Sequence, residues 1–200
     1  IAARLVDILG RGEPVRSVEW TEDEWELVQQ VQMITSKPTL YVCNVDEEGL
    51  NGNALVDKVR KHAVEEGAGV VIISAKVESE IAELDDEDKA EFLSDMGLKE
   101  PGLAKLARGT YSLLGLQTYF TAGEKEIRAW TIRKGDKAPR AAGVIHTDFE
   151  RGFIRAEVYT LDDLREYKNE AGMKAAGKLR LEGKEYVVKD GDVMHFRFNV

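Results

Sequence analysis

Two short apolar runs, Thr39–Cys43 and Val70–Ile73, bracket a stretch of helical periodicity, and nothing else in the chain constrains its fold as tightly. Both runs are nearly continuous in Leu, Tyr, Val and Ile, the composition of strands covered on both faces. Between them Asn53 is placed to cap a helix carrying Leu55, Val56, Val59, His62 and Ala63 at helical spacing, and Gly67 and Gly69 end it. Two strands joined through a helix form a parallel pair with a right-handed crossover. The expectation is an α/β unit built on a parallel sheet.

The flanking segments have other patterns. Residues 1–36 read as mostly helical, broken at Gly10, Gly12 and Pro14. Thr21 caps a helix through Trp25, Val28, Gln29 and Gln32 that ends before Lys37-Pro38. Residues 77–115 return to helix: Ile81 and Leu84 first, then a segment opened by Asp85–Asp88 and stopped at Gly97, then one from Pro101 to Leu114. The acidic run suits a solvated face and a helix start better than a metal site. From Leu116 short strands dominate: Thr118–Thr121, a turn at Gly123-Glu124, Glu126–Arg133, Phe153–Val158, Glu185–Val188 and His195 onward. Helices are expected at Pro139–Phe149 and Asp162–Lys178, and a turn at Asp190-Gly191. This reads as a small α+β module with its boundary near Gly115.

At 200 residues the chain can hold one or two domains with a real core. No apolar run approaches the roughly 20 residues that span a bilayer, and the N-terminus lacks the pattern of a signal peptide. The chain starts at Ile1 without an initiator Met and reads as beginning mid-protein. Its one cysteine, Cys43, suits a reducing cytosol and is expected as a buried small hydrophobe. The net charge of −9 is unevenly spread. Residues 1–115 hold 12 Lys+Arg against 23 Asp+Glu, whereas residues 116–200 hold 16 against 14. An RNA-facing surface is therefore credible only in the second part, although two differently solvated faces explain the charges as well.

The first strand runs into Asn44-Val45-Asp46-Glu47 and the second into Ser74-Ala75-Lys76. Taken alone, the four residues fit a polar turn after a strand. Taken with Ser74-Ala75-Lys76, they look like the base-recognition half of a GTPase-type nucleotide site, ordinarily N-K-x-D followed by S-A-K. No G-x-x-x-x-G-K-[ST] occurs, so no backbone cradle for phosphates is assigned.

These segments resemble the YchF / Obg-like ATPase family. So do Leu116–Gly123, Arg128–Thr131, His146–Glu157 and the ending Asp190–Asn199, and the likeness covers nearly the whole chain. It implies three parts: residues 1–36 as the end of a helical, coiled-coil-like insertion, 37–115 as the last portion of a P-loop G domain, and 116–200 as a TGS domain of β-grasp type. It further implies a cytosolic protein that binds and hydrolyses ATP in preference to GTP and associates with the ribosome or its RNA, with no membrane or DNA partner. The phosphate loop, the switches and the Mg²⁺ site would precede residue 1, leaving this chain inactive alone. The alternative is a ribosome- or RNA-binding regulatory module acting through its TGS domain.

The residues expected at the base are Asn44, Val45, Glu47, Ser74, Ala75 and Lys76, with no catalytic residue. An Asp in the usual motif accepts from guanine N1–H and N2–H₂, donors that adenine lacks. Glu47 is one methylene longer, and losing such bonds at a charged acceptor costs about 1.5–3 kcal/mol each. Asn44 carries a donor and an acceptor that suit the N6/N7 edge of adenine. Val45 offers an apolar contact, and Ser74 and Ala75 offer backbone N–H groups. His62, His146 and His195 match no metal-ligand spacing. Arg128, Lys134, Lys137, Arg140, Arg151 and Arg155 could face phosphates beside Tyr119, Phe120 or Trp130, aromatics that are more often core.

Overall fold

A computed structural model describes residues 1–123 and 126–199, in two compact units, Ile1–Leu114 and Gly115–Val200. Glu124, half of the expected Gly123-Glu124 turn, and Val200 lie outside the described residues.

The first unit opens with α1 (Ala2–Gly10) and α2 (Glu22–Gln30), which bury Leu5, Ile8, Val15 and Val28 together. Thr21 starts α2 through a reciprocal cap: its Oγ1 accepts from Glu24 N–H at 3.3 Å, and its own N–H donates to Glu24 Oε2 at 3.1 Å. The helix expected to continue through Gln32 and end before Lys37-Pro38 stops at Gln30 instead. Gln32 sits in the left-handed region (φ 53°), which breaks the helical repeat, and Ile34–Ser36 form a separate 3₁₀ turn.

β1 (Leu40–Asn44) and β2 (Gly69–Ile73) pair in parallel, from Leu40 opposite Gly69 to Asn44 opposite Ile73. The crossover is α3 (Ala54–Glu66), capped by Asn53 Oδ1, which accepts from the N–H groups of Leu55 and Val56 at 3.0 Å. It ends at Gly67, whose left-handed φ of 65° favours glycine. Three helices follow: α4 (Ala75–Glu83), α5 (Asp86–Asp95) and α6 (Gly102–Leu113). Tyr41 turns its ring toward His62 of α3 and donates from Oη to Glu66 at 2.8 Å, so α3 covers that face. The opposite face, with Leu40, Val71 and Ile73, receives α6. Gly109 permits that close approach, because a Cβ there would lie 2.7 Å from Val71 Cγ2.

The expectation of two strands covered on both faces therefore fails for β1. α6 packs chiefly along β2, leaving Val42 43% exposed. Cys43, expected to be buried, is half-buried.

In the second unit five strands run in the spatial order β4-β3-β7-β5-β6. They are β3 (Leu116–Ala122), β4 (Ile127–Arg133), β5 (Phe153–Thr160), β6 (Arg180–Glu182) and β7 (Asp192–Phe198). β3 and β7 are parallel and the other neighbours antiparallel. α7 (Ala138–Ile145) lays the fully buried Ala138, Ala141 and Ala142 on one face, against Tyr119, Ile132, Val158 and Met194. On the other face α9 (Leu161–Tyr167) and α10 (Glu170–Ala175) bury Met173 with Tyr159 and Val193.

Three local expectations are corrected here. The single helix at Pro139–Phe149 is two, α7 and α8 (Thr147–Arg151), divided at His146 in extended geometry (φ −160°). His146 Nδ1 accepts from Asp148 N–H at 3.2 Å and so starts α8. The region Asp162–Lys178 is likewise split, at Lys168 (φ 68°), after which Asn169 caps α10. Glu185–Val188 is not a strand, and Val187 makes only a single bridge, to Lys137. Its neighbour Val188 spends its backbone groups elsewhere: its N–H donates to Asp136 C=O, and its C=O accepts from Gln117 Nε2 at 2.7 Å.

Asp192 is 2% exposed and accepts from Tyr186 Oη at 2.7 Å and from Lys189 N–H at 2.9 Å. Burial, and then this bond to the carboxylate, push the Tyr186 phenol up from 10.0 to about 12. Burial alone pushes Tyr119 up as well. A folded-state value above the unfolded one gives stabilisation that is complete below pH 10 and lost as pH rises through 12. The urea midpoint should therefore fall between those values, and Tyr186→Phe should flatten the fall. An unchanged slope in the variant would exclude Tyr186 as its source.

Candidate functional site

Because Asn44 and Ile73 are the last registered pair of β1 and β2, Asn44–Glu47 and Ser74–Lys76 leave the sheet side by side. Both leave from the carboxyl ends of parallel strands, where open α/β sheets bind their ligands. Two bonds join them. Val45 N–H donates to Ile73 C=O at 2.9 Å, and Ala75 N–H donates to Asn44 Oδ1 at 2.9 Å.

The second bond fixes the Asn44 amide. A backbone N–H can only donate, so the side-chain oxygen must face Ala75 and the NH₂ must face away. Two expectations change with it. The Ala75 N–H is engaged within the protein rather than offered to a base. Asn44, expected to use a donor and an acceptor together, has its oxygen occupied and presents donors only. Both purines carry an acceptor at N7, so Asn44 in this setting suits either.

The turn after Asn44 is closed by Asp46, whose Oδ1 accepts from Gly49 N–H at 2.9 Å. Gly49 is required there, because a Cβ would lie 2.8 Å from Val45 Cβ. Val42, Cys43, Asn44, Val45, Leu55 and Val59 line a cleft of about 440 Å³, open enough to leave Leu55 70% exposed. Glu47 is not in it. It borders a separate depression with Leu50, Asn51 and Met96.

Across the gap, Ser74 precedes α4 but does not cap it, and its hydroxyl is buried with no hydrogen-bond partner among the described residues. Lys76 projects into solvent, its side chain 83% exposed and its Nζ 3.8 Å from Glu80 Oε1. The structure thus brings Asn44, Val45, Ser74 and Ala75 together, with Glu47 and Lys76 at the margins. Sequence reasoning overlooked Glu78, whose carboxylate accepts from the N–H groups of Gly102 and Leu103 at 2.6 and 3.1 Å. No local pattern signals it, because its partners are 24 and 25 residues away.

Among the described residues no cluster of three or more His, Cys, Asp or Glu side chains could hold a metal ion. No described helix is long and apolar enough to cross a membrane. In the second unit, Tyr119 belongs to the core, and Trp130 donates from Nε1 to Thr121 Oγ1 at 2.9 Å. Arg128 lies over the Trp130 ring, 4.3 Å from its centroid. Lys137 pairs with Glu185 and Arg140 approaches Glu150. Lys134, Arg151 and Arg155 form no ion pair among the described residues.

Comparison with known proteins places these segments. Residues 116–199 match the family YchF-GTPase_C, described as a protein of unknown function (DUF933). A protein named Ribosome-binding ATPase YchF in Pasteurella multocida is 56% identical over 200 residues, all of this chain and 55% of that protein. The protein of that name in Bacillus subtilis is 56% identical over 203 residues, all of this chain and 56% of its own length. The solved structure of the Schizosaccharomyces pombe YchF GTPase superposes with a TM-score of 0.80 at 36% identity, covering 98% of this chain and 53% of that one. The chain thus spans little more than half the length of these relatives. An identity of this level along the whole chain, with the same fold, means that the chain belongs to the YchF family.

Proposed function

We propose that residues 37–115 are the base-reading end of a P-loop ATPase of G-domain type, and that residues 116–200 are a TGS domain of β-grasp type. Residues 1–36 are then the end of a helical insertion. The observation that carries this reading is the Asn44–Ala75 bond at 2.9 Å, which locks two strand-end segments into one surface. On that surface the Asn44 NH₂ meets a purine N7 and Val45 packs against the ring. Ser74 lies buried just behind that surface, its hydroxyl without a hydrogen-bond partner among the described residues. Glu47 and Lys76 stand at its edge. Glu47 cannot reproduce the two-donor grip on guanine without reorienting, which relaxes base choice toward ATP.

The chemistry of hydrolysis belongs to phosphate positioning, and these 200 residues carry no phosphate loop sequence. Among the described residues no cluster of three or more His, Cys, Asp or Glu side chains is placed to hold the Mg²⁺ that accompanies ATP. The chain by itself is therefore a nucleotide-contacting part without turnover. Asn44→Ala removes the strand-end lock and the N7 donor, each worth about 1 kcal/mol, and should weaken ATP about tenfold or more by calorimetry. ATP binding with wild-type affinity in Asn44→Ala would sink the base-reading assignment.

A second reading is favoured by the charge of residues 116–200 and by Arg151 and Arg155, which form no ion pair among the described residues. In it, the TGS domain of a cytoplasmic protein supplies the ribosome or RNA contact. Affinity for ribosomal RNA that falls steeply with salt and is weakened by Arg151→Ala with Arg155→Ala would support it.

A further inference from the structure

α6 begins with a capping problem. Its first N–H groups need acceptors, and Pro101 at its N-cap has no side chain that can serve. Glu78, on another helix, solves it. Its Oε1 accepts from Gly102 N–H at 2.6 Å and its Oε2 from Leu103 N–H at 3.1 Å. These are charge-assisted bonds at the positive end of a helix dipole. Glu78 lies one turn into α4, and its own N–H donates to Ser74 C=O at 2.9 Å.

The first turn of α6 also sits on the end of β2. A Cβ at Gly102 would lie 3.0 Å from Ile73 Cγ2, and Ile73 C=O is the group that accepts from Val45 N–H. The start of α4 is thus held at two points, by Asn44 at Ala75 and by α6 at Glu78. The Ser74 hydroxyl, just before α4, is buried with no hydrogen-bond partner among the described residues.

We propose that Glu78 is a positioning residue for the base-reading segment Ser74–Lys76: it clamps α4 to α6 and fixes where that segment meets the purine. This rests on the nucleotide reading given above. It makes base affinity depend on a carboxylate bonded to α6, the helix that leads in sequence into the second unit. Loosening the clamp lets α4 shift relative to β1, straining the Asn44–Ala75 bond on which the surface depends.

The test titrates the 200-residue chain with adenosine and follows backbone amide resonances by NMR. In the unaltered chain adenosine should move the Ala75, Gly102 and Leu103 resonances with one shared Kd. Glu78→Gln keeps the shape but loses the charge and one acceptor, so it should weaken adenosine about fivefold and silence Gly102 and Leu103. Val28→Ala is the control: it opens a cavity in the cluster under α1 and α2 and lowers stability without altering α4 or α6, and should keep the original Kd. An unchanged Kd in Glu78→Gln, or equal weakening in Val28→Ala, overturns the positioning role while leaving the nucleotide reading intact. Should adenosine move none of these resonances in the unaltered chain, both fall together.

Discussion

Tyr119→Ala should cost the second unit about 3–5 kcal/mol, the range for removing a buried aromatic. Tyr119 is fully buried in the middle of β3, against α7 and edge-on to Phe196 at 5.8 Å. Its Oη donates to Ala141 C=O at 2.9 Å, so it ties helix to sheet as well as filling space. A loss of this size is a large share of the roughly 5–15 kcal/mol by which a domain is stable. Tyr119→Phe separates the two contributions. It keeps the ring and loses only the hydrogen bond, so it should cost about 1 kcal/mol. Urea unfolding followed by hydrogen exchange in peptides from residues 116–199 would measure both. Equal losses in the two variants would mean that the hydroxyl, not the packing, carries the residue's weight.

Gly152→Ala should be nearly as damaging, although it adds a single methyl group. Gly152 ends α8 at an ordinary φ of −90°, so backbone strain is not the reason. The reason is space. A Cβ there would lie 2.8 Å from the carbonyl carbon of Asn199 and nearer still to its oxygen. Backbone cannot turn aside as a side chain can, so the end of β7 must move. That movement breaks the bond from Asn199 N–H to Gly152 C=O, now 2.9 Å, and parts the Phe149–Phe198 stack at 3.8 Å. Overpacking of this kind costs about 1–3 kcal/mol and occasionally more. For a unit of this size, roughly 4–8 °C of melting temperature is lost per kcal/mol. A drop of roughly 4–24 °C is expected by circular dichroism, with exchange fastest around Phe196–Asn199. A variant melting within a degree or two of the unaltered chain would show that this close approach is not needed.

The contrast between Gly67 and Gly152 shows where sequence reading works. Gly67 follows a periodic helix and needs a left-handed φ, a local demand visible from its neighbours. Gly152 answers to Asn199, which no local pattern connects to it. Asn53, Thr21 and Asp85 were legible for the same reason as Gly67: a cap acts on N–H groups two or three residues ahead. The breaks at His146 and Lys168 were not, because apolar spacing continued through both and propensity alone does not stop a helix. Tyr186 and Val188 have the composition of a strand, yet buried partners at Asp192 and Gln117 claim their polar groups.

At the candidate site the same division holds. The β-α-β order, its parallel pairing and the meeting of Asn44 with Ser74–Lys76 follow from apolar runs separated by a capped helix, since the crossover leaves no other arrangement. Which atoms remain free for a ligand does not follow. That depends on Ala75 taking the Asn44 oxygen and on Glu78 reaching α6, hydrogen bonds between groups 31 and 24 residues apart. Such bonds form only after packing has set the distances, whereas caps and strand alternation are satisfied within a few residues of where they are written.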